Sequence, residues 1–273
     1  MKGRETMSQA KEWVKERYGA IATQAQEGCC CGCSCGDDDA VAVAERIGYQ
    51  AEDLAAVPAG ANLGLGCGNP LALASIQPGE TVLDLGSGAG FDAFLAASRV
   101  GPTGRVIGVD MTPEMIAQAQ ANAANGDYPN VEFRLGDIES MPMESASVDL
   151  VISNCVLNLV PDKAKAFSEI VRVLRPGGRL AVSDIVLDGP LPEALKANEG
   201  AYCSCISGAI GREEYLAKLA AAGLQEVQIV SASDAAALLA SDCCGGGAAE
   251  SELSGVVTSL HVTARKAQSG ETR

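Results

Sequence analysis

The sequence predicts an α/β fold with a doubly wound, mostly parallel sheet. Short apolar runs typical of strands alternate with helical patterns between residues 81 and 186. A glycine-rich turn, Gly86-Ser-Gly-Ala-Gly90, follows the first of these runs and leads into a helical pattern. Strands that alternate with helices form βαβ units, which build parallel sheets covered by helices on both faces.

Each element of this region follows from its local pattern. Thr81–Leu85 is a short apolar run, and Val131–Leu135 alternates apolar and polar side chains. Thr112 followed by Pro113 is typical of a helix start, and Pro176-Gly-Gly178 is typical of a turn. The predicted strands are 81–85, 105–110, 131–135, 148–153 and 179–186. The predicted helices between them are 91–99, 113–124 and 162–174.

Helical patterns also flank this region. Two precede it, at 8–26 and 39–57, and a loop rich in Cys and Gly lies between them. After residue 188 the alternation is looser. It predicts helices at 192–200 and 212–222 and strands at 227–230 and 256–263.

Composition excludes several classes of function. The chain has 20 Lys and Arg against 35 Asp and Glu, and its formal charge of −15 argues against nucleic acid or an anionic membrane as a partner. A single His argues against His-based metal sites and general bases. We expect a cytoplasmic protein because no secretory h-region or membrane-length apolar run is visible. Thiols stay mostly reduced there, so eleven Cys indicate metal, metalloid or redox chemistry.

Three strand ends suggest a nucleotide-like ligand. The glycine turn lets a ligand approach the backbone, and Asp110 at the end of the second strand can accept both hydroxyls of a ribose. Asp137 and Ile138 follow the third strand, where a carboxylate and an apolar side chain can hold an adenine. The alternative is a set of ordinary tight turns with Asp side chains as helix caps. The order of the three strand ends favours the ligand.

These motifs resemble class I S-adenosylmethionine-dependent methyltransferases. The matching segments are Leu83–Gly90, Gly108–Asp110, Gly136–Asp137 and Leu174–Gly178. The resemblance implies a Rossmann-like methyltransferase sheet and S-adenosylmethionine as methyl donor. The cofactor-binding residues that it implies are Asp84, Gly86, Gly88, Gly90, Asp110, Met111, Asp137, Ile138 and Asn154.

Four cysteines lie where a methyl acceptor is expected. Cys67 is in a glycine-rich loop before the first strand, and Cys155 follows the fourth strand. Cys203 and Cys205 lie beyond the fifth strand. One alternative is that each fills a small apolar space. Structural zinc is a second alternative, but Cys30-x-x-Cys33 is the sequence's only CxxC knuckle.

The sequence is similar to bacterial arsenite methyltransferases over nearly its whole length. The segments that carry this similarity include Gly64–Pro70, Val109–Met115, Ile152–Cys155, Ser183–Ile185 and Cys205–Ala209. The resemblance implies that Cys67, Cys155 and Cys205 are the catalytic thiolates that hold As(III), with Cys203 as the neighbouring alternative. It also implies arsenite or its thiol conjugates as substrate, and thioredoxin or glutathione as reductant.

The resemblance divides the chain into three parts. Residues 1–60 form a helical arm with a Cys-rich loop, 61–187 the S-adenosylmethionine-binding domain, and 188–273 a smaller C-terminal α+β domain that caps the arsenic site. The roles of two further Cys groups stay open, namely Cys29, Cys30, Cys31, Cys33 and Cys35, and Cys243 and Cys244. His261 is expected to face solvent from a strand, and Tyr18 either covers the cofactor or is a core aromatic residue.

Three functions follow from these observations. The first is methylation of As(III) to methyl- and dimethylarsenicals, which detoxifies arsenic. The second is methylation of a carbon or nitrogen acceptor such as a lipid or quinone precursor. The third is a thiol-rich protein that sequesters or senses metalloids without catalysis.

Overall fold

The computed structural model describes residues 2–27, 37–240 and 250–268. Its strands form one seven-stranded sheet in the order β3-β2-β1-β4-β5-β7-β6. They are β1 (Thr81–Leu85), β2 (Arg105–Asp110), β3 (Val131–Leu135), β4 (Val148–Asn154), β5 (Leu174–Leu187), β6 (Leu224–Asp234) and β7 (Val257–Lys266).

Helices flank this sheet. In the described ranges they are α1 (Lys2–Glu27), α2 (Asp37–Arg46), α3 (Ala51–Ala55), α4 (Phe91–Val100), α5 (Pro113–Gly126), α6 (Lys163–Val173), α7 (Glu193–Lys196), α8 (Glu199–Cys203), α9 (Arg212–Ala221), α10 (Ala236–Ala240) and α11 (Glu250–Leu253). Short 3-10 helices lie at Pro70–Ala72 and Leu157–Leu159.

The sheet topology confirms the predicted α/β class. Strand β1 pairs in parallel with β2 on one side and with β4 on the other. The chain runs outward from β1 through β2 to β3 and then crosses back to β4. This reversal of direction opens a crevice at the carboxyl ends of β1 and β4, where open α/β sheets bind ligands.

The C-terminal strands extend the same sheet. Strand β7 pairs antiparallel with β5 from Leu187–Val257 to Arg179–Arg265, and β6 forms the antiparallel outer edge. Residues expected in a C-terminal α+β domain therefore share their sheet with the central region. The division of the chain into three parts stays a prediction.

Two predicted helices are each broken in two. The stretch at 39–57 forms α2 and α3, because Gly48 adopts a left-handed φ of +105° that ends the first helix. The stretch at 192–200 forms α7 and α8, and the Asn198 side chain caps α8 by accepting from Ala201 N at 2.8 Å. Strand β5 also begins earlier than predicted, at Leu174.

Apolar side chains cover the sheet on both faces. One cluster joins β1 and β4 to α6 and α9 and includes Phe167 and Tyr215, whose ring centroids are 5.4 Å apart. The other packs α4 on the sheet through the buried Phe94. No helix in the described ranges is both long and apolar enough to cross a membrane.

Candidate functional site

The glycine loop (Gly86–Gly90) turns sharply at the carboxyl end of β1. Gly86 has φ +64°, and a Cβ there would lie 2.3 Å from Val156 Cγ2. Gly90 has φ +99°, and a Cβ there would meet the Phe94 ring at 2.6 Å. Both positions therefore require glycine. A Cβ at Gly88 would have only Met115 Sδ nearby, at 3.9 Å, so this face of the loop has room for a ligand.

Asp110 holds the glycine loop against β2. Its Oδ2 accepts from Gly88 N at 3.0 Å, and its Oδ1 accepts from Thr112 N at 2.8 Å. Burial raises the pKa of Asp110, and these backbone hydrogen bonds act in the opposite direction. The carboxylate keeps lone pairs for a further donor, such as a ribose hydroxyl.

Asp84 carries an unpartnered oxygen beneath this loop. Its side chain is 3% exposed, and Oδ2 has no hydrogen-bond partner among the described residues. Burial raises its pKa well above the usual value, and the charges of Asp92 and Asp110 raise it further. A buried carboxylate is stabilised by a cation or a donor. The site therefore fits a ligand with a positively charged group.

Helix α1 covers the strand end where an adenine was predicted. Lys11 Nζ lies 2.6 Å from Asp137 Oδ2 and 2.8 Å from Glu139 Oε2. Burial acts to raise the pKa of Asp137, but hydrogen bonds from Lys11 and from the backbone N of Glu139 outweigh it and lower the pKa. Ile138 is buried beside this pair. Nothing in the local sequence pairs Lys11 with a carboxylate 126 residues away.

Asn154 fixes the loop that carries Cys67. Its Oδ1 accepts from Cys67 N at 3.0 Å, and its Nδ2 donates to Gly68 O at 2.8 Å. We call residues 64–69 the Cys67 loop. Asn154 was predicted to bind cofactor, and the structure places its amide against this loop. Met111 packs beside the apolar cluster that contains Cys67.

The thiols of Cys67, Cys155 and Cys205 meet at the carboxyl end of β4, and we call them the thiol triad. All three residues are buried, and the side chains of Cys67 and Cys205 both act on the thiol of Cys155. Cys205 Sγ donates to Cys155 O at 2.8 Å, and Cys67 Sγ donates to Ser183 O at 3.5 Å.

The backbone is strained at two of the three triad residues. Cys155 has φ +58° and Cys205 has φ +62°. Both values lie in the left-handed region, which side chains other than glycine, asparagine and aspartate seldom adopt. Such strain is concentrated at functional sites.

The pKa values of all three triad thiols are raised. Burial raises the pKa of Cys67 to about 11. The Cys205 side chain favours the Cys155 thiolate, but the Cys67 side chain and burial together raise the Cys155 pKa well above its usual value. The hydrogen bond to Cys155, followed by burial, raises the pKa of Cys205.

Cys203 lies beside the thiol triad without joining it. Its side chain is buried, and burial raises its pKa to about 11. Its carbonyl oxygen accepts from Tyr18 OH at 3.2 Å. Tyr18 therefore lies at the thiol end of the crevice, packed against the same apolar cluster.

The thiols are not preset as a metal site. In the described part of the chain, no group of three or more His, Cys, Asp and Glu side chains has the arrangement of a metal-ion site. The thiols of Cys67 and Cys205 are instead hydrogen-bonded to carbonyl oxygens. To bind one common atom they must give up these hydrogen bonds.

A buried polar network that the sequence patterns did not reveal lies near the triad. Asp184 Oδ2 accepts from Tyr215 OH at 2.9 Å, and Lys163 Nζ donates to the carbonyls of Asn158 and Val160. Burial raises the pKa of Asp184 to about 7 and lowers that of Lys163. The Asp184 charge in turn raises the pKa values of all three triad thiols.

Asp184→Asn is expected to change how stability depends on pH. The raised pKa means that the folded state keeps a proton that the unfolded state releases between about pH 4 and 7. This group therefore makes the free energy of unfolding fall as pH rises through that window. The variant lacks this fall, so it gains stability relative to wild type from pH 5 to 7, by at most about 1.4 kcal/mol per pH unit.

Urea unfolding at pH 5, 6, 7 and 8 measures this difference. Asp234→Asn is the matched control, because backbone hydrogen bonds lower the pKa of Asp234 and it titrates below the window. Its offset from wild type should stay constant. A constant offset for Asp184→Asn as well would contradict a raised pKa.

His261 faces the Cys67 loop, which corrects the expectation that it faces solvent. The Ser259 hydroxyl donates to Cys67 O at 2.6 Å, so its oxygen accepts from His261 Nε2–H at 3.4 Å. His261 Nδ1 then accepts from the Ser183 hydroxyl at 3.2 Å. Burial lowers the pKa of His261, which favours this neutral ring. A strand pattern alone cannot reveal a loop that covers the strand.

Gly68→Ala is expected to displace the Cys67 loop. A Cβ at Gly68 would lie 2.5 Å from His261 Cε1 and 2.8 Å from Ser183 Cβ, closer than real contacts allow. We expect a lower melting temperature and weaker arsenite binding at the triad, because overpacking a fitted site costs about 1–3 kcal/mol. Gly211→Ala is the control, since nothing lies within 4 Å of its Cβ position. Equal behaviour of the two variants in thermal unfolding and arsenite binding would refute the close fit.

The Cys groups at 29–35 and 243–244 lie outside the described residues. Their roles therefore stay open. The cofactor and ligand roles of the individual site residues also stay predictions.

Comparisons with known proteins agree with this geometry. The family model of a methyltransferase domain matches residues 76–223, more than half of the chain. A curated arsenite methyltransferase from Halobacterium salinarum is 51% identical over 232 residues, covering 81% of this chain and 59% of that protein. This chain thus spans little more than half the length of that relative.

Two further relatives mark the range of similarity. The crystal structure of an arsenic (III) S-adenosylmethionine methyltransferase from Chlamydomonas reinhardtii superposes with a TM-score of 0.58 at 31% identity, covering 86% of this chain and 75% of that one. A 2-phytyl-1,4-beta-naphthoquinone methyltransferase from Arabidopsis thaliana is 38% identical over 111 residues, or 40% of this chain and 42% of that protein. The chain belongs to the methyltransferase-domain family, and within it the chain is similar to arsenite methyltransferases.

Proposed function

We propose that the protein transfers methyl groups from S-adenosylmethionine to As(III) bound by the thiol triad. The observation that carries this proposal is the meeting of three buried, free thiols at the carboxyl end of β4, next to the glycine loop. Thiolates are soft ligands and select soft centres such as As(III). The arsenite methyltransferases among its relatives support the same substrate.

The donor side has the groups that S-adenosylmethionine requires. Asp84 and the glycine loop would hold its methionine part, Asp110 its ribose, and Asp137 with Ile138 its adenine. The unpartnered Asp84 Oδ2 suits a cationic ligand, and the space beside Gly88 admits one. When bound, S-adenosylmethionine supplies a methyl group that is electrophilic because it sits on a positively charged sulfur. If adenine contacts the Asp137 carboxylate, Lys11 must give up its ion pair with Asp137.

Binding of arsenite to the thiols needs no separate proton acceptor. Arsenite is neutral As(OH)₃ near pH 7, so the chain's negative charge does not repel it. Each protonated thiol replaces one hydroxyl, forms an As–S bond and releases one water. The raised pKa values of Cys67, Cys155 and Cys205 therefore do not hinder binding, because each thiol proton leaves with a hydroxyl.

Methyl transfer itself needs no general base. As(III) bound by three sulfurs keeps a lone pair, which forms the new As–C bond while the methyl–sulfonium bond breaks. No proton leaves the nucleophile in this step, so the protein contributes orientation and proximity. This agrees with a chain whose single His is held by Ser183 and Ser259.

Turnover requires a two-electron reductant. Arsenic is formally oxidised from As(III) to As(V) on methylation, and a dithiol can return two electrons by forming a disulfide. We propose thioredoxin or glutathione as the source, with methyl- and dimethylarsenicals as products that detoxify arsenic. A cytoplasmic location fits this need for reduced thiols.

Two rival functions make different predictions. A carbon or nitrogen acceptor, as the name of the Arabidopsis relative indicates for that protein, leaves the thiol triad and its strained backbone without a role. A sequestering protein without catalysis leaves the unpartnered Asp84 oxygen and the glycine loop without a role.

A methylation assay separates these functions. The protein is mixed with arsenite, S-adenosylmethionine and a thiol, and arsenic species are resolved by chromatography with mass detection. Methylated arsenic that increases with time supports the proposal. Arsenite binding without S-adenosylmethionine binding would select sequestration, and turnover of a quinone precursor with arsenite inert would select the second rival.

A further inference from the structure

A series of side-chain hydrogen bonds connects the first turn of α4 to the interior of the crevice. Tyr49 OH donates to Asp92 Oδ1 at 2.5 Å. Asn154 Nδ2 lies 3.1 Å from Tyr49 OH and 3.3 Å from Asp92 Oδ2. Asp92 is two residues after the glycine loop, so this series begins at the proposed donor site.

The Asn154 amide connects this series of hydrogen bonds to the Cys67 loop. Asn154 Oδ1 accepts from Cys67 N, and Nδ2 donates to Gly68 O. A Cβ at Gly66 would lie 2.8 Å from Asn154 Nδ2, and Gly66 has φ +114°. The loop is therefore fitted closely around the amide, and a change in the orientation of Asn154 must move the backbone of Cys67.

The electrostatics make this connection responsive to a ligand. Burial raises the pKa of Asp92 to about 6, and the Asp92 charge raises the pKa of Asp84. A cation beside the unpartnered Asp84 oxygen stabilises the ionised form of both carboxylates. Hydrogen bonds to an ionised acceptor are shorter and stronger, so Tyr49 and Asn154 are then held more firmly.

We propose that Tyr49 and Asp92 are positioning residues that couple occupation of the donor site to the geometry of the Cys67 loop, so that a bound cationic donor increases the affinity of the thiol triad for As(III). This inference rests on the proposed function. Coupling of this kind is reciprocal, so bound As(III) must increase donor affinity by the same factor. The protein would thereby bind arsenic more tightly when a methyl donor occupies the donor site.

The experiment measures arsenite binding with and without an unreactive donor analogue. Sinefungin is suitable because an amine replaces the methylated sulfonium, and S-adenosylhomocysteine, which lacks that charge, serves as the uncharged comparison. The fluorescence of Trp13, the only tryptophan in the chain, reports binding. Its ring lies 6.4 Å from Tyr202 beside the triad cysteines.

We expect saturating sinefungin to lower the arsenite dissociation constant of the wild-type protein by at least about 5-fold. S-adenosylhomocysteine should have a smaller effect. Tyr49→Phe should bind arsenite alone and sinefungin alone with affinities close to those of the wild-type protein. It should lose most of the coupling between the two ligands. Tyr128→Phe is the matched control, because Tyr128 also packs its ring on α4, against Phe94, and also loses one hydroxyl hydrogen bond, to Ala56 O at 2.9 Å.

Asp92→Asn provides a second variant that keeps the shape of the side chain but not its charge. It should lose coupling as Tyr49→Phe does, and it decides the question if Tyr49→Phe does not fold. Wild-type protein that binds arsenite with no response to sinefungin overturns this inference alone. Undiminished coupling in a folded Tyr49→Phe or Asp92→Asn variant also overturns it. Wild-type protein that binds no arsenite overturns the proposed function together with this inference.

Discussion

Cys155→Ser is expected to lower arsenic methylation by on the order of 100-fold or more, whereas Cys203→Ser keeps most of the activity. Cys155 is the middle member of the triad, since its thiol contacts both Cys67 and Cys205. Serine offers a harder oxygen ligand that suits As(III) less well than sulfur does. Losing a direct ligand should cost at least the roughly 10–100-fold that loss of an outer-shell partner costs.

Cys203 is the matched control for Cys155. It is buried like the triad residues and lies two positions from Cys205, but neither Cys67 nor Cys155 is among the groups that act on its thiol. Initial rates of methylarsenic formation and arsenite dissociation constants are measured for both variants, with melting temperatures to confirm folding. Full activity in a folded Cys155→Ser variant, or equal losses in both variants, would refute the assignment of the triad as the ligand set.

Asp110→Asn is expected to weaken binding of S-adenosylmethionine by roughly 10–100-fold, which corresponds to the ~1–3 kcal/mol of an unsatisfied buried polar group. Both Asp110 oxygens accept backbone N–H groups, from Gly88 and from Thr112. An amide nitrogen at one of these positions faces another donor, so the glycine loop is released from β2. The ribose also loses a charged acceptor.

Asp149→Asn is the matched control for this variant. Asp149 also accepts a backbone N–H, from Thr81 at 2.9 Å, and pairs with Arg175, but it lies at the opposite end of the parallel strands. Calorimetric titration with S-adenosylhomocysteine gives the dissociation constants. Unchanged affinity in Asp110→Asn, or an equal decrease in both variants, would contradict a specific role for Asp110 at the donor site.

The parallel strands were the most predictable part of the fold. The bounds of β1, β2 and β3 agree with the sequence because each is a short run between strong turn signals. Helix breaks were missed where one residue outweighs the periodicity, as Gly48 does between α2 and α3. The sharing of one sheet by β5, β6 and β7 depends on pairing between distant segments, which local patterns do not encode.

The site was predictable only in part for the same reason. The resemblance to methyltransferases named the triad and the donor residues, and the structure brings Cys67, Cys155 and Cys205 into contact. Partners from distant elements were not predictable, notably Lys11 on Asp137, His261 beneath Gly68, and Tyr49 on Asp92. Each joins residues far apart in sequence, and none carries a motif of its own.

The left-handed backbone at Cys155 and Cys205 has a consequence for directed evolution. Glycine at either position would relieve roughly 1–2 kcal/mol of backbone strain, which offsets much of the burial that a small side chain contributes. A library screened only for thermal stability would therefore exert little pressure to keep cysteine there. We expect a screen for arsenic tolerance to retain both cysteines, and a screen for thermal stability alone to let them change to glycine. The sequences of the surviving variants would then show that the cysteines are kept for function.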